Sequence, residues 1–206
     1  TEPLSLATMG NLYGSGLSHR SVLAHLTIMT TTFVGLYAWG SGASVVIQGV
    51  YGLSPLAFGM TYAVGSLGYM LGTNIAVRIV MRLGLGPMIG IGTAIMAAGG
   101  LLMAAVVAFG LTSVTWLVGS MTVYLAGMGL AMPQTMAAAL TPFPDRAGTA
   151  SSLLGFSQQS CGAIAAAAIG AYLGGSAWPV AGTIAAMGVA AFALWASTIK
   201  MRAEPH

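Results

Sequence analysis

The sequence predicts an all-α membrane protein with six transmembrane helices, and this prediction rests on composition and on the positions of the charges. Only 6 Lys or Arg and 3 Asp or Glu occur among the 206 residues, whereas about a quarter of a soluble domain is charged. Hydrophobic residues make up 57% of the chain. A water-soluble fold of this size could not cover its surface with so few charges.

The spacing of the charges indicates the number of helices. Uncharged intervals of 57, 62 and 53 residues separate four charge clusters, which lie at Arg20, Arg78–Arg82, Asp145–Arg146 and Lys200–Glu204. One membrane crossing needs about 20 apolar residues, so each interval holds two crossings and a turn. Every cluster then returns to the same side of the membrane. The Lys and Arg residues make this the cytoplasmic side, with both termini on it.

Each uncharged interval divides at a break rich in glycine, proline or serine. The breaks GVYGLSP, GLTS and GGSAWP form the outer turns, and near them lie Tyr51, Trp116, Tyr172 and Trp178. Such aromatic side chains favour the membrane interface. We expect a cytoplasmic linker at residues 1–20 and a cytoplasmic tail at residues 200–206. The predicted spans are residues 21–48, 56–80, 88–109, 114–140, 149–173 and 179–199.

Polar side chains are unevenly distributed among these spans. In the first and second spans they recur at spacings of three, four and seven residues, which places them on one helical face. The fourth and fifth spans also hold polar residues, whereas the third and sixth are nearly bare. For any single residue, contact between helices explains the pattern as well as contact with a ligand. Together the faces favour a cavity, whose predicted wall residues are Tyr37, Ser41, Tyr62, Tyr69, Tyr124 and Gln158.

Several function classes are disfavoured because the sequence lacks the residues that they normally need. No Asp, Glu, Lys or Arg lies deep within a span, which argues against a self-contained proton pump because intramembrane carboxylates normally perform that work. His25 is the one titratable candidate, and such a histidine is more often a packing or interface residue. The single cysteine, Cys161, allows no internal disulfide. We expect no enzyme activity, no cofactor, no metal and no nucleic-acid partner.

Two stretches resemble a known family. They are GMGLAMPQTMAAALTPFPDRAGTASSLLGFSQQSCGA at residues 127–163 and VYGLSPLAFGMTYAVGSLGYMLGTNIAVRIVMRLG at residues 50–84. They resemble the major facilitator superfamily, and within it the drug:proton antiporters of the bicyclomycin-resistance and chloramphenicol-efflux subfamily. The first is similar to the tenth helix, inner turn and eleventh helix of those proteins. The second is similar to their eighth helix with the outer turn before it and the inner loop after it.

The resemblance implies that the chain is the C-terminal half, helices seven to twelve, of a twelve-helix proton-coupled multidrug efflux carrier in the bacterial inner membrane. It implies inverted three-helix repeats and alternating access around a central site. The implied partners are a small lipophilic substrate, protons, membrane lipid and the N-terminal six-helix half of the same transporter. In the family, helices seven, eight, ten and eleven line the cavity, which agrees with the polar faces of spans one, two, four and five.

The inner loops depart in part from the family pattern. Arg82 and Gly84 match its inner-loop motif, but Met81 stands at the acidic position and Leu85 at a basic one. The proton-carrying acids and the antiporter motif of the family lie outside these residues. Membrane topology alone explains the arginines as well as a gating role does. The residues that we assign to the cytoplasmic loops and gate are Arg82, Gly84, Asp145 and Arg146.

Two alternatives to efflux stay open at this stage. An uptake carrier of the same fold, for a small metabolite, would satisfy the same composition and charge spacing, because a fold does not determine substrate or direction. A non-transporting six-span membrane protein that acts as its own unit would do so as well.

Overall fold

The computed structural model describes residues 20–110, 113–172 and 176–203, and the regular structure in these ranges is helical. A π-helical segment, Val45–Val50, continues the first helix, and a 3₁₀ turn, Pro144–Arg146, precedes the fifth. The predicted linker before Arg20 and the chain after Ala203 lie outside the described residues. The six long helices are α1 Arg20–Ser44, α2 Pro55–Leu83, α3 Leu85–Ala108, α4 Val114–Leu140, α5 Ala147–Tyr172 and α6 Trp178–Ala203.

Five helical segments in the described ranges are long and apolar enough to cross a membrane, and the protein is therefore an integral membrane helical bundle. α5 has 26 residues but is not among them, because serine, glutamine and glycine dilute its apolar residues. The five segments are Ser21–Val50, Pro55–Leu83, Leu85–Ala108, Val114–Leu140 and Trp178–Thr198.

α5 nevertheless lies within the bundle, alongside α1 and in the same direction. Gln158 contacts Met29, and further along both helices Gln159 and Gly162 contact Tyr37. These contacts place the middle of α5 at the same depth as the middle of α1. α5 is thus part of the bundle despite its lower hydropathy, and its crossing is a testable expectation.

The helices pair in a pattern that is unchanged when α1–α3 are exchanged with α4–α6. α1 packs on α5 and α6, and α4 packs correspondingly on α2 and α3. α3 packs on α6, and α1 meets α4. Helices that belong to the same trio, such as α2 and α3, make few contacts with each other. This is the pairing expected of two intertwined three-helix repeats.

Glycines allow the closest of these helix crossings. Gly68 and Gly72 of α2 lie against the backbone of α4 at Thr122 and Ala126, where an added methyl group would collide with carbonyl oxygens. The GxxxG pair of α2 is therefore a helix-packing surface, as small residues commonly are in membranes. On α3, Gly90 receives the ring of Trp195 from α6, whose Nε1–H donates to the Gly86 carbonyl at 2.8 Å.

Candidate functional site

An open cavity of about 400 Å³ lies between α1, α2 and α4. Its size falls in the range of small-molecule binding sites, about 300–1,000 Å³. None of its described lining residues is charged, and most are aromatic or aliphatic. α3, α5 and α6 contribute none of them. The lining residues are Phe33, Leu36 and Trp39 of α1, Thr61, Tyr62, Gly65, Ser66, Tyr69 and Met70 of α2, and Leu125 and Met128 of α4.

α2 supplies the largest share of the wall, because its lining residues recur every three or four positions and therefore lie on one face of the helix. The helix begins after Ser54, whose Oγ accepts a hydrogen bond from the Ala57 N–H at 3.2 Å. Two turns into the helix, the Tyr62 ring packs edge-to-face on Phe58 with centroids 5.1 Å apart. The Tyr62 hydroxyl reaches across to the Gly40 carbonyl of α1 at 3.4 Å. This contact joins the two helices at the cavity.

Tyr62 and Tyr69, both predicted as wall residues, line this cavity. Two other predicted residues lie where α1 meets α5. The half-buried Tyr37 donates its hydroxyl to Gln159 Oε1 at 3.0 Å, and its ring fills the space left by Gly162. Gln158 is buried, with Nε2 3.7 Å from the sulfur of Met29. The polar faces of α1 and α5 therefore meet each other, and contact of these residues with substrate stays a prediction.

Ser41 and Tyr124 also lie outside the cavity lining. Ser41 is half-buried, with its hydroxyl 3.4 Å from the Ala38 carbonyl of its own helix. Tyr124 is fully buried, and its hydroxyl donates to the Thr32 carbonyl at 3.3 Å beside Gly35. The rotation of α4 turns Leu125 toward the cavity instead. The position of Tyr124 thus differs from the predicted wall, because a buried tyrosine with a carbonyl acceptor is a satisfied core residue.

The polar pattern could not identify the apolar part of the lining. Phe33, Trp39, Met70 and Met128 carry no hydroxyl or amide group, and comparable residues face lipid elsewhere in the chain. One available signal was adjacency, since Met70 follows Tyr69 directly. Trp39 was a second signal, because its indole adds an N–H donor to a large apolar ring.

The predicted gate residues lie at the opposite end of the bundle from Tyr51 and Trp178. Arg82 is exposed in the last turn of α2. Gly84 ends that helix with φ +78°, a left-handed conformation that favours glycine, and its N–H donates to the Val80 carbonyl at 2.8 Å. A tight α2–α3 turn results. A gating role for either residue stays a prediction.

The second inner turn, between α4 and α5, contains the other two predicted gate residues. The Arg146 N–H donates to the Phe143 carbonyl at 3.2 Å, and its side chain is exposed. The side chain of Asp145 lies outside the described residues. Nearby, His25 is buried with Nδ1 2.6 Å from the Ser21 carbonyl, which places it in a packing position near the start of α1.

No family model matches the chain, but the chain is similar to a known protein. The chain is 29% identical over 171 residues to a Bacillus subtilis (strain 168) protein described as the uncharacterized MFS-type transporter YdgK. The match covers 82% of this chain and 42% of that relative, so the chain spans less than half the relative's length. This similarity supports the major facilitator superfamily and, together with the five apolar helices, a transport role in a membrane rather than an enzymatic one.

Proposed function

We propose that the chain is the C-terminal half of a proton-coupled multidrug efflux transporter of the major facilitator superfamily that works by alternating access. The aligned region occupies 42% of an MFS-type relative, which is the share that one half of a two-half carrier would occupy. The exchangeable pairing of α1–α3 with α4–α6 supports the same assignment, because inverted repeats build such halves. Residues 1–20 then end the central cytoplasmic linker.

The observation on which this proposal chiefly depends is the uncharged cavity between α1, α2 and α4. α1 and α4 form the centre of the helix pairing, and substrate sites of such carriers lie near the membrane midplane between the halves. Aromatic rings and methionines tolerate many apolar shapes, since they bind through area rather than through a fixed set of polar contacts. Such a wall suits a carrier of diverse lipophilic compounds.

An N-terminal half is the proposed neighbour of the open side of this cavity. α2 exposes large apolar side chains, among them Met60 at 62% and Leu71 at 62%, and α5 exposes Phe156 at 67%. Part of this surface would contact the second half and the rest would contact lipid. The described cavity lining contains no carboxylate. The proton-coupling acids are therefore assigned to the N-terminal half.

The proposed orientation of the protein in the membrane is based on the helix ends that lie together at one end of the bundle. The starts of α1 and α3 and the end of α4 border a common opening lined by Ser21, His25, Gly86 and Thr141, among others. The exposed arginines of the two inner turns lie at this end. By the positive-inside rule it faces the cytoplasm of the bacterial inner membrane.

The test is accumulation of a fluorescent lipophilic dye in bacteria that express the full-length protein. We expect lower accumulation than in cells without it, and a protonophore should abolish the difference. Tyr62→Ala and Tyr69→Ala should raise accumulation, whereas Tyr172→Ala, a matched loss of a phenol from an exposed end of α5, should not. Unchanged accumulation with a membrane-inserted, folded protein would contradict efflux. Increased accumulation would favour an uptake carrier.

A further inference from the structure

The hydroxyl groups of the cavity differ in whether their hydrogen atoms are already engaged. Thr61 donates to the Phe58 carbonyl at 2.7 Å, and Ser66 donates to the Tyr62 carbonyl at 2.8 Å. Tyr62 itself donates to the Gly40 carbonyl at 3.4 Å. These three side chains satisfy backbone carbonyls. They offer a ligand lone pairs but no free hydrogen.

Two donors of the cavity lining are not engaged in this way. Trp39 is only 3% exposed, and no described residue accepts a hydrogen bond from its indole nitrogen, which can only donate. Among the described residues, every fully enclosed side-chain nitrogen or oxygen has a hydrogen-bond partner. Because the indole nitrogen of Trp39 has none, it must border open space. The Tyr69 hydroxyl likewise has no acceptor among the described residues.

Trp39 borders two of the open spaces formed by the described residues, and only one of these two has room for a ligand. One is the cavity of about 400 Å³. The other, between Trp39, Leu117 and Val180, measures about 10 Å³, which is close to the least volume that holds one water molecule. Of these two spaces, the larger cavity is therefore the one in which a small molecule could reach this indole.

We propose that this cavity selects uncharged aromatic molecules that carry a hydrogen-bond acceptor, such as a ketone, amide or nitro group, and that Trp39 and Tyr69 donate to that acceptor. A ligand that fills the cavity displaces water from both donors. A donor left without an acceptor is penalised, whereas an oxygen with a spare lone pair is tolerated more easily. An acceptor on the ligand removes the penalty, and the rings of Phe33 and Tyr62 contact its aromatic body.

Charged ligands gain less from this wall. The described lining contains no Asp or Glu to pair with an organic cation and no Lys or Arg to pair with an anion. A cation could contact the aromatic faces and the hydroxyl lone pairs, but an ammonium hydrogen could not satisfy either free donor. The selection therefore favours neutral acceptors. It rests on the proposed function, because it assumes that this cavity is the substrate site.

The experiment compares the binding of three compounds of similar size to the purified full-length protein in lipid nanodiscs. Benzophenone has a carbonyl acceptor, diphenylmethane has the same two rings without it, and diphenylmethylammonium has a cationic donor in its place. Calorimetric affinities are corrected with empty nanodiscs. We expect benzophenone to bind tightest. The benzophenone-to-diphenylmethane affinity ratio should fall about fivefold in Trp39→Phe and about fivefold in Tyr69→Phe, the effect of one hydrogen bond each.

Trp116→Phe, which changes an exposed tryptophan at the start of α4, is the matched control and should leave the ratio unchanged. Proton–nitrogen spectra of the indole groups provide a readout that does not depend on the stability of a variant. Benzophenone, but not diphenylmethane, should shift downfield one indole resonance of the wild-type protein, the one that Trp39→Phe removes.

The outcomes separate this inference from the proposed function. Equal ratios in the wild type and both cavity variants, or no indole shift, would overturn the donor assignment while leaving a binding cavity in place. Tightest binding of diphenylmethylammonium would overturn it in favour of cation–π recognition. If none of the three compounds binds the folded protein above empty nanodiscs, the cavity is not a substrate site, and the proposed function loses its main support as well.

Discussion

The Thr73 hydroxyl of α2 lies 3.4 Å from the carbonyl oxygen of Gly129 in α4, the carbonyl that Pro133 leaves without its helical donor. Proline has no N–H, so the carbonyl four residues earlier loses its usual hydrogen bond. The same hydroxyl lies 3.0 Å from the Tyr69 carbonyl of its own helix and can serve both acceptors. Gly129 allows this approach, because a side chain there would collide with the α2 backbone. A neighbouring helix thus compensates for a proline within the membrane.

Removing the Thr73 hydroxyl should weaken the contact between α2 and α4. We expect Thr73→Val to lower the free energy of unfolding by about 1 kcal/mol. In a Pro133→Ala background the loss should be smaller, because the new N–H satisfies Gly129. Thermal unfolding of the four proteins in detergent gives this double-mutant cycle. Thr31→Val, whose hydroxyl bonds only within α1, is the control, and an equal effect of Thr73→Val in both backgrounds would refute the coupling.

The glycines at the α2–α4 crossing make a second prediction. Gly72→Ala places a methyl group against the Ala126 backbone and should destabilise the protein by about 1–3 kcal/mol, since neither backbone can move aside locally. Gly59→Ala, in the same helix but with open space around it, should be neutral or slightly stabilising. Melting temperatures of the two variants in the same detergent measure the difference. Similar values would mean that α2 and α4 do not cross at this point.

Tyr124 should act through packing rather than through substrate contact. Tyr124→Phe loses one hydrogen bond to Thr32 and should cost about 1 kcal/mol of stability, whereas Tyr124→Ala leaves a cavity and should cost about 3–5 kcal/mol. Among properly folded protein, Tyr124→Phe should leave the relative affinities for different compounds unchanged. A changed preference in binding assays, at wild-type stability, would instead return Tyr124 to the cavity wall.

The crossing of α5 can be tested together with the orientation of the protein. After Cys161→Ala, single cysteines at Ser54, Gly148 and Ser176 are treated in intact cells with a maleimide that does not cross membranes. We expect labelling at Ser54 and Ser176 but not at Gly148, which precedes Ser176 by the length of α5. Labelling of Gly148 alone would reverse the orientation. Equal labelling of Gly148 and Ser176 would mean that α5 does not cross.

Part of the candidate site could be predicted before any packing was known. Tyr62 and Tyr69 follow each other on one face of α2, and that face does border the cavity. Tyr37 and Gln158 lie on equally polar faces, yet those faces meet each other at the α1–α5 contact. In a membrane a polar side chain forms a hydrogen bond with a neighbouring helix as readily as with a ligand. Sequence spacing cannot distinguish the two outcomes.

Composition and charge spacing were sufficient to predict a helical membrane protein with six helices, because crossing a bilayer demands long uncharged segments whatever their partners are. The rotation of each helix about its own axis required the tertiary structure, because lipid and a neighbouring helix are equally apolar and leave little trace in the residue pattern. That rotation turned Leu125 toward the cavity and Tyr124 into the core, and it brought Trp39 and Tyr69 to the same cavity.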